Sequence, residues 1–242
     1  MSETIDVQQV LESISEKGFT VVESLETNTE KILQKHIEIV NQIGTPSEHN
    51  EGKKDFVWKI RPKNNESVNC TFSEHNRKAD LHTDSQYRFK PEKYFSLSSI
   101  VQAKCGGGYS TLLDFRKVMV ELKNEDKDEF LKELIVPYPI AIPDIFKTNK
   151  KDFIEAPLIE NESAIRYRYD TIKRGMEKSG YSESDKKWKA FSYLTQEIQN
   201  SNFVESFVLK PGQILIVDNH RVLHGRTGFS DTQRLLYRIR FN

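Results

Sequence analysis

The sequence has no excess of either charge: 36 lysines and arginines balance 36 aspartates and glutamates. Nucleic-acid binding draws on counterion release and needs concentrated positive charge, so no nucleic-acid partner is expected. Two basic groupings, Lys147/Lys150/Lys151 and Lys186/Lys187/Lys189, stand among acids and read as solvated faces. Long apolar runs are missing as well. None approaches the roughly 18 residues of a membrane span. The opening Met1-Ser2-Glu3-Thr4-Ile5-Asp6 is too acidic and polar for a secretory signal. The expectation is a cytoplasmic protein with no membrane partner. Cysteine is scarce, with only Cys70 and Cys105. They lie far apart, form no Cys-x-x-Cys pair and demand no disulfide, which suits a reducing compartment. Repeats, low-complexity tracts and linkers are also absent. A chain of 242 residues supports one core and is short for two domains, so a single domain over 1–242 is expected.

What is present is a regular alternation of element signals. Val7, Val10, Leu11 and Ile14 have helical spacing, and Gly18 ends that helix at Lys17. Phe19–Val22 reads as a strand, Thr27–Ile43 as a second helix, and Phe56–Ile60 as another strand. Tyr94–Val101 and Tyr109–Leu113 are strand-like runs split by the turn Cys105-Gly106-Gly107-Gly108. Phe115–Leu134 has helical character with a break near Asn124–Lys127. A stretch with Pro137, Pro139 and Pro143 follows, left without an element. Ala164–Tyr169 alternates like a strand, and Asp185–Gln199 is a helix. Three strands then close the chain: Phe203–Leu209, Ile214–Val217 and Arg234–Phe241. Two leading helices, many short strands and a late helical insertion suit a mixed, mainly β fold, a sheet sandwich or jelly roll with helices outside.

Chemistry concentrates in a few segments. His82 and Asp84 are two apart, so on extended chain their side chains share a side and can reach one ion. Such a pair also occurs as a surface histidine beside a capping aspartate. Near the C-terminus, Ile214–Val217 reads as a buried strand followed by Asp218-Asn219-His220-Arg221-Val222-Leu223-His224-Gly225-Arg226. Polar, histidine-rich chain after a buried strand suggests side chains exposed at a barrel mouth. His220 and His224 would pair as ligands on a helix, but Gly225 and the strand before them argue against a helix, leaving one ligand. Asn219 is expected to fix the turn. In the last strand, alternation places Arg234, Leu236, Arg238 and Arg240 on one face. Guanidinium groups there fit either a solvated edge or bidentate capture of a carboxylate.

The ordered set of His82-x-Asp84, the glycine turn running into Gly108-Tyr109-Ser110-Thr111-Leu112-Leu113-Asp114, Asp218-Asn219 to His224-Gly225-Arg226, and Arg234-x-x-x-Arg238 resembles the taurine dioxygenase and clavaminate synthase group of iron(II)/2-oxoglutarate oxygenases. It spans Lys78 to the C-terminus. The resemblance implies a double-stranded β-helix (jelly roll) in which two histidines and one carboxylate hold iron(II) on one face, leaving positions for 2-oxoglutarate and molecular oxygen. By matching position it implies His82, Asp84 and His224 as ligands, with Thr111 and Arg234 on the far carboxylate of 2-oxoglutarate. Arg238 would face the substrate or replace Arg234. The carboxylate of Asp84 fills the place that halogenating relatives leave for chloride, so hydroxylation, desaturation or epoxidation is implied instead.

Gln86, Tyr87 and Arg88 follow the ligand pair and are candidates for the pocket wall, Gln86 foremost. One of Arg166 and Arg168 is a candidate for an acidic substrate, with solvent exposure as the alternative. The substrate expected is a small anionic or zwitterionic metabolite such as an amino acid derivative in a biosynthetic pathway, and the oligomeric state is left open. Two other classes share the same residues: a zinc-dependent hydrolase, which would have no use for Arg234, and a non-catalytic jelly-roll binding module.

Overall fold

Local capping starts the chain's first elements. Asp6 accepts from the backbone N–H groups of Gln8 and Gln9, opening α1 (Val7–Lys17), and Gly18 closes it in the left-handed region with φ 81°. Strand β1 (Phe19–Glu23) follows. Asn28 then caps α2 (Thr29–Ile43) through Glu30 and Lys31, so this helix starts at its cap rather than at the expected Thr27. The computed structural model describes residues 6–48, 55–63, 72–124, 128–147 and 151–242. Cys70 and the break expected near Asn124–Lys127 fall wholly or mainly outside them.

Beyond α2 lie β2 (Val57–Ile60), β3 (Ala79–His82), β4 (Tyr94–Val101), β5 (Ser110–Asp114), α3 (Phe115–Asn124) and α4 (Asp128–Leu134). Next are β6 (Pro137–Ala141), β7 (Phe153–Pro157), β8 (Ile159–Asn161), β9 (Ala164–Ile165), α5 (Tyr169–Lys178) and α6 (Lys186–Asn200). The chain closes with β10 (Glu205–Phe207), β11 (Gln213–Asp218), β12 (Val222–Arg226) and β13 (Leu235–Phe241).

Two antiparallel sheets face each other, ordered β1-β11-β4-β13-β2 and β10-β5-β12-β3. Period-2 alternation sorts the side chains into layers. Leu215 and Val217 of β11 meet Leu112 of β5 and Val222 of β12 between the sheets. Ile214 and Ile216, one residue off, pack outward with Val10, Ile14, Ile39 and Val40 of α1 and α2. On the far side, Leu113 and Leu223 face a larger cluster built by α3 to α6 and the β6–β7 hairpin. The result is the jelly roll with flanking helices, its sheets antiparallel throughout. No described helix is long and apolar enough to cross a membrane.

Four expectations are corrected. The proline-containing stretch is strand β6, paired only with β7, so Pro137 and Pro139 withhold no hydrogen bond from a second neighbour. The Ala164–Tyr169 strand stops at Ile165, and α5, unforeseen, begins at Tyr169. The histidine-rich segment after β11 is itself a strand, β12, so four strands rather than three close the chain, and the first of them shrinks to Glu205–Phe207. Finally β13 is interior, between β4 and β2, which removes the solvated-edge reading of its arginines.

Candidate metal centre and its arginine-lined cavity

Strand pairing brings the two histidines together. His224 of β12 stands directly opposite His82 of β3, and their rings are 4.4 Å apart. Asp84 follows β3 in a turn fixed from a distance. Its backbone N–H donates to Asn219 Oδ1 at 2.7 Å, while the Asn219 amide donates to the carbonyls of Asp84 and Glu92. Asn219 is buried, and it ties the two loops that carry the site. Ser85, next along, takes the left-handed region at φ 55°, uncommon for a residue with a side chain and consistent with a turn held by its surroundings.

The carboxylate of Asp84 is used asymmetrically. Oδ1 lies 3.8 Å from His82 Nε2 and 3.8 Å from His224 Nε2. Oδ2 accepts from Arg238 Nη1 at 2.9 Å and Arg240 Nε at 3.2 Å. Burial alone would raise this carboxyl's pKa, but the two guanidinium groups outweigh burial and hold it well below the usual carboxylate range. His82 Nδ1 lies 2.8 Å from the Asp80 carbonyl, which can only accept, so the proton sits on Nδ1 and Nε2 carries the lone pair on the side of Asp84. Burial first, then the neighbouring His224 and Arg168, keep the His82 pKa well below the ordinary histidine value. His224 Nδ1 is buried with no partner among the described residues, and Phe95 packs against that ring at 4.2 Å. Two imidazole nitrogens and one carboxylate oxygen within 4.8 Å of one another could hold a divalent metal ion.

These groups open onto a cavity of about 340 Å³. The arginine face of β13 forms one wall, since Arg234, Leu236, Arg238 and Arg240 all line it. Trp58 of β2 lies under two of them, 4.5 Å from the Arg238 guanidinium and 5.7 Å from that of Arg240. Arg234 is 6% exposed, and no carboxylate pairs with it among the described residues. It shares the Phe229 ring with Arg226, at 5.1 and 4.7 Å. Burial, then the charge of Arg226, push the Arg234 pKa down to about 9. Arg226 itself donates to the carbonyls of His75 and Arg77, both at 2.6 Å.

Other expected residues distribute unevenly. Thr111 is a correction. On β5, Ser110 stands opposite Arg226 and Leu112 opposite His224, so these share the inward face. Thr111 stands opposite Gly225 on the other face, and of the two β5 hydroxyls it is Ser110 that lines the cavity. Gln86 is buried in the cavity wall and donates to Thr171 Oγ1 at 3.1 Å. Tyr87 also lines it, stacked on Phe146 at 5.1 Å. Arg168 lines the cavity from the N-terminal end of α5 and pairs with Asp170 at 2.8 Å. Arg166 is neither exposed nor at the cavity: it donates to the carbonyls of Gln86 and Arg88 and pairs with Glu160, bracing the loop behind the site. His220 lies outside the site, its Nε2 donating to the Pro91 carbonyl at 3.1 Å. Cys105 is exposed on the glycine turn. Backbone N–H groups, that of Ser230 foremost, bring its thiol down to about 7.

Sequence reasoning gave no role to Trp58, Phe95, Ser110 or Arg226, and placed Arg240 only on the guanidinium face of the last strand. For Ser110 the signal was available: alternation in β5, counted from the outward Leu113, puts Ser110 and Leu112 inward. For Trp58 and Phe95 there was none, because only the sheet order brings β2 and β4 beside β13.

Comparison with known proteins gives a matching family model over residues 2–240, described as taurine catabolism dioxygenase TauD, TfdA family. The chain belongs to this family. Among solved structures, the non-heme iron oxygenase OrfP in complex with Fe and alpha-ketoglutaric acid superposes with a TM-score of 0.76 at 16% identity, covering 98% of this chain and 79% of that one. Asparagine oxygenase in complex with Fe(II), 2S,3S-3-hydroxyasparagine and succinate gives a TM-score of 0.75 at 16% identity, covering 97% and 78%. OrfP in complex with Fe, succinate and (3S)-hydroxy-L-Arg gives 0.74 at 14% identity, covering 98% and 80%.

Proposed function

We propose that this chain, as a member of the TauD, TfdA dioxygenase family, is an iron(II)- and 2-oxoglutarate-dependent dioxygenase that holds its metal with His82, Asp84 and His224 and oxidises a small amino acid derivative. The observation that carries the metal assignment is the position of Asp84 Oδ1, 3.8 Å from the Nε2 of each histidine while its partner oxygen is occupied by arginines. A donor set of two imidazoles and one carboxylate suits iron(II) and leaves the cavity side open. When bound, iron(II) with 2-oxoglutarate and oxygen supplies the oxidising power, 2-oxoglutarate being decarboxylated to succinate.

The chain's own groups do the rest. The Asp80 carbonyl keeps His82 in the tautomer a metal ligand needs. Arg238 and Arg240 hold the Asp84 carboxylate ionised and fix which oxygen turns to the histidines. Arg234, buried without a carboxylate partner among the described residues, is the fitting cation for the far carboxylate of 2-oxoglutarate, with the Ser110 hydroxyl beside it in place of Thr111. Arg168, Gln86 and Arg238 face the remaining space and would position the substrate. A cavity of about 340 Å³ fits a small molecule, and the reading involves neither nucleic acid nor membrane. OrfP and asparagine oxygenase were solved with hydroxylated arginine and asparagine bound, which supports an amino acid as the substrate type here, oxidised within one domain spanning 1–242.

The test is an anaerobic titration with iron(II) and then 2-oxoglutarate, watching for the visible charge-transfer band of the chelate. The band is expected in the wild type, absent in His82→Ala and weakened in Arg234→Gln. A wild type that binds iron but shows no band would overturn the reading.

A further inference from the structure

The cavity's charge is one-sided. Five arginines line it, Arg168, Arg226, Arg234, Arg238 and Arg240, and Asp84 is its one acidic side chain among the described residues. They form two groups. Arg226 and Arg234 stand at the Ser110 end, on the shared ring of Phe229. Arg168, Arg238 and Arg240 stand at the Asp84 end: the latter two donate to its Oδ2, and the Arg168 carbonyl accepts from Thr171, whose hydroxyl in turn accepts from Gln86.

At the Asp84 end a single carboxylate therefore meets several guanidiniums, and one of its two oxygens is turned to the histidines. Asp170 pairs with Arg168, but its side chain is 63% exposed, so water weakens that pair's hold on the charge. Glu92 is buried nearby but bound by Arg88 at 2.9 Å. Filling the centre does not redress the balance. An iron(II) ion brings two positive charges and 2-oxoglutarate two negative ones, so the arginine excess survives the loading of both.

We infer that the primary substrate is a small molecule carrying more acidic than basic groups, of the dicarboxylic amino acid type, and that Arg168 is the residue that selects it. This rests on the oxygenase reading above and narrows it. A substrate with a cationic side chain would place a like charge beside these guanidiniums, with Asp84 the one acidic side chain of the lining among the described residues. An acidic side chain gains a charge-assisted, bidentate partner in the same place.

The experiment is calorimetric binding under anaerobic conditions to the protein loaded with iron(II) and 2-oxoglutarate. The ligands are L-aspartate, L-glutamate, L-asparagine, L-glutamine, L-lysine and L-arginine. The charge-transfer band, recorded on the same sample, reports separately whether the loaded centre has formed, so its absence counts against the oxygenase reading and not against the charge preference. An acidic ligand is expected to bind at least tenfold more tightly than any neutral or cationic one. Arg168→Gln is expected to cut that preference about tenfold, and Arg168→Glu to turn it toward the cationic ligands. Equal or tighter binding of a neutral or cationic ligand, failure of both acidic ligands to bind, or a preference unchanged in both variants would each overturn the inference.

Discussion

Arg238 Nη1 lies 2.9 Å from Asp84 Oδ2, and this contact decides which oxygen of the aspartate is left for a metal. The two residues are far apart in sequence and meet because β13 lies inside one sheet, between β4 and β2, while Asp84 follows β3 of the other. Arg240 completes the clamp from two residues further along the same face. Removing one partner of a buried, hydrogen-bonded charge pair leaves the other exposed to the full cost of burial. Arg238→Met should weaken iron(II) affinity by about 10- to 100-fold, the usual scale for losing a group that orients a metal ligand. An anaerobic iron titration monitored by calorimetry measures this. Unchanged affinity would mean that Arg240 alone sets the carboxylate.

The exchange of Thr111 for Ser110 as the cavity hydroxyl separates two nearly adjacent substitutions. Ser110→Ala should weaken 2-oxoglutarate binding about tenfold, the cost of about 1.4 kcal/mol for one lost hydrogen bond to a charged group. Thr111→Ala should change it less than about twofold, because that side chain lies on the opposite face of β5 beside Gly225. Titrating the charge-transfer band with 2-oxoglutarate in each variant distinguishes them. The reverse order would restore Thr111.

Away from the cavity, the buried His36 is expected to govern acid stability. His36 of α2 is fully buried between Ser98 Oγ at 2.9 Å and Ser96 Oγ at 2.6 Å. Burial lowers its pKa from the ordinary 6.5 to about 3. The unfolded chain therefore binds a proton that the folded chain refuses. Its contribution to stability is complete above about pH 6.5 and is lost as pH falls toward about 3, at up to about 1.4 kcal/mol per pH unit. Denaturant unfolding at several pH values should show that slope, and His36→Gln, which keeps a donor and an acceptor, should lessen it by one proton's worth. An equal slope in both proteins would assign acid sensitivity to the carboxylates.

Close packing behind the site is equally specific. A Cβ added at Gly175 of α5 would come 2.0 Å from the Pro139 carbonyl oxygen of β6, backbone that cannot turn aside. Gly175→Ala should therefore destabilise the fold by about 1–3 kcal/mol, the range for overpacking, despite alanine's better helix propensity. Thermal unfolding of the two proteins gives the sign directly. Equal stability would mean that α5 can move off the hairpin at little cost.

Some of this molecule is carried by local sequence. Helix α1 begins at a capping aspartate and ends at a glycine, and the strands Phe19–Glu23, Tyr94–Val101 and Gln213–Asp218 follow their apolar runs. These patterns are short-range, set by side-chain period and by caps one turn away. The pair His82 and Asp84 is legible from its two-residue spacing, but Asp84 stands in the turn after β3, held there by Asn219, and not on extended chain. Helix α5 buries Thr171, Ile172, Gly175 and Met176 at helical spacing, but Gly175 and its many charges mask that pattern, and β12 is only five residues long.

The sequence by itself determined the element pattern, the order of the chemical segments and the balance of charge. Tertiary structure alone decided that Ser110 rather than Thr111 turns inward and that Asp84 gives one oxygen to two arginines. It also decided that, among the described residues, five arginines and one acid line the cavity. The physical reason is that these facts depend on register and sheet order, which bring residues of β2, β3, β5, β12 and β13 to one cavity, and no local propensity encodes which strands become neighbours.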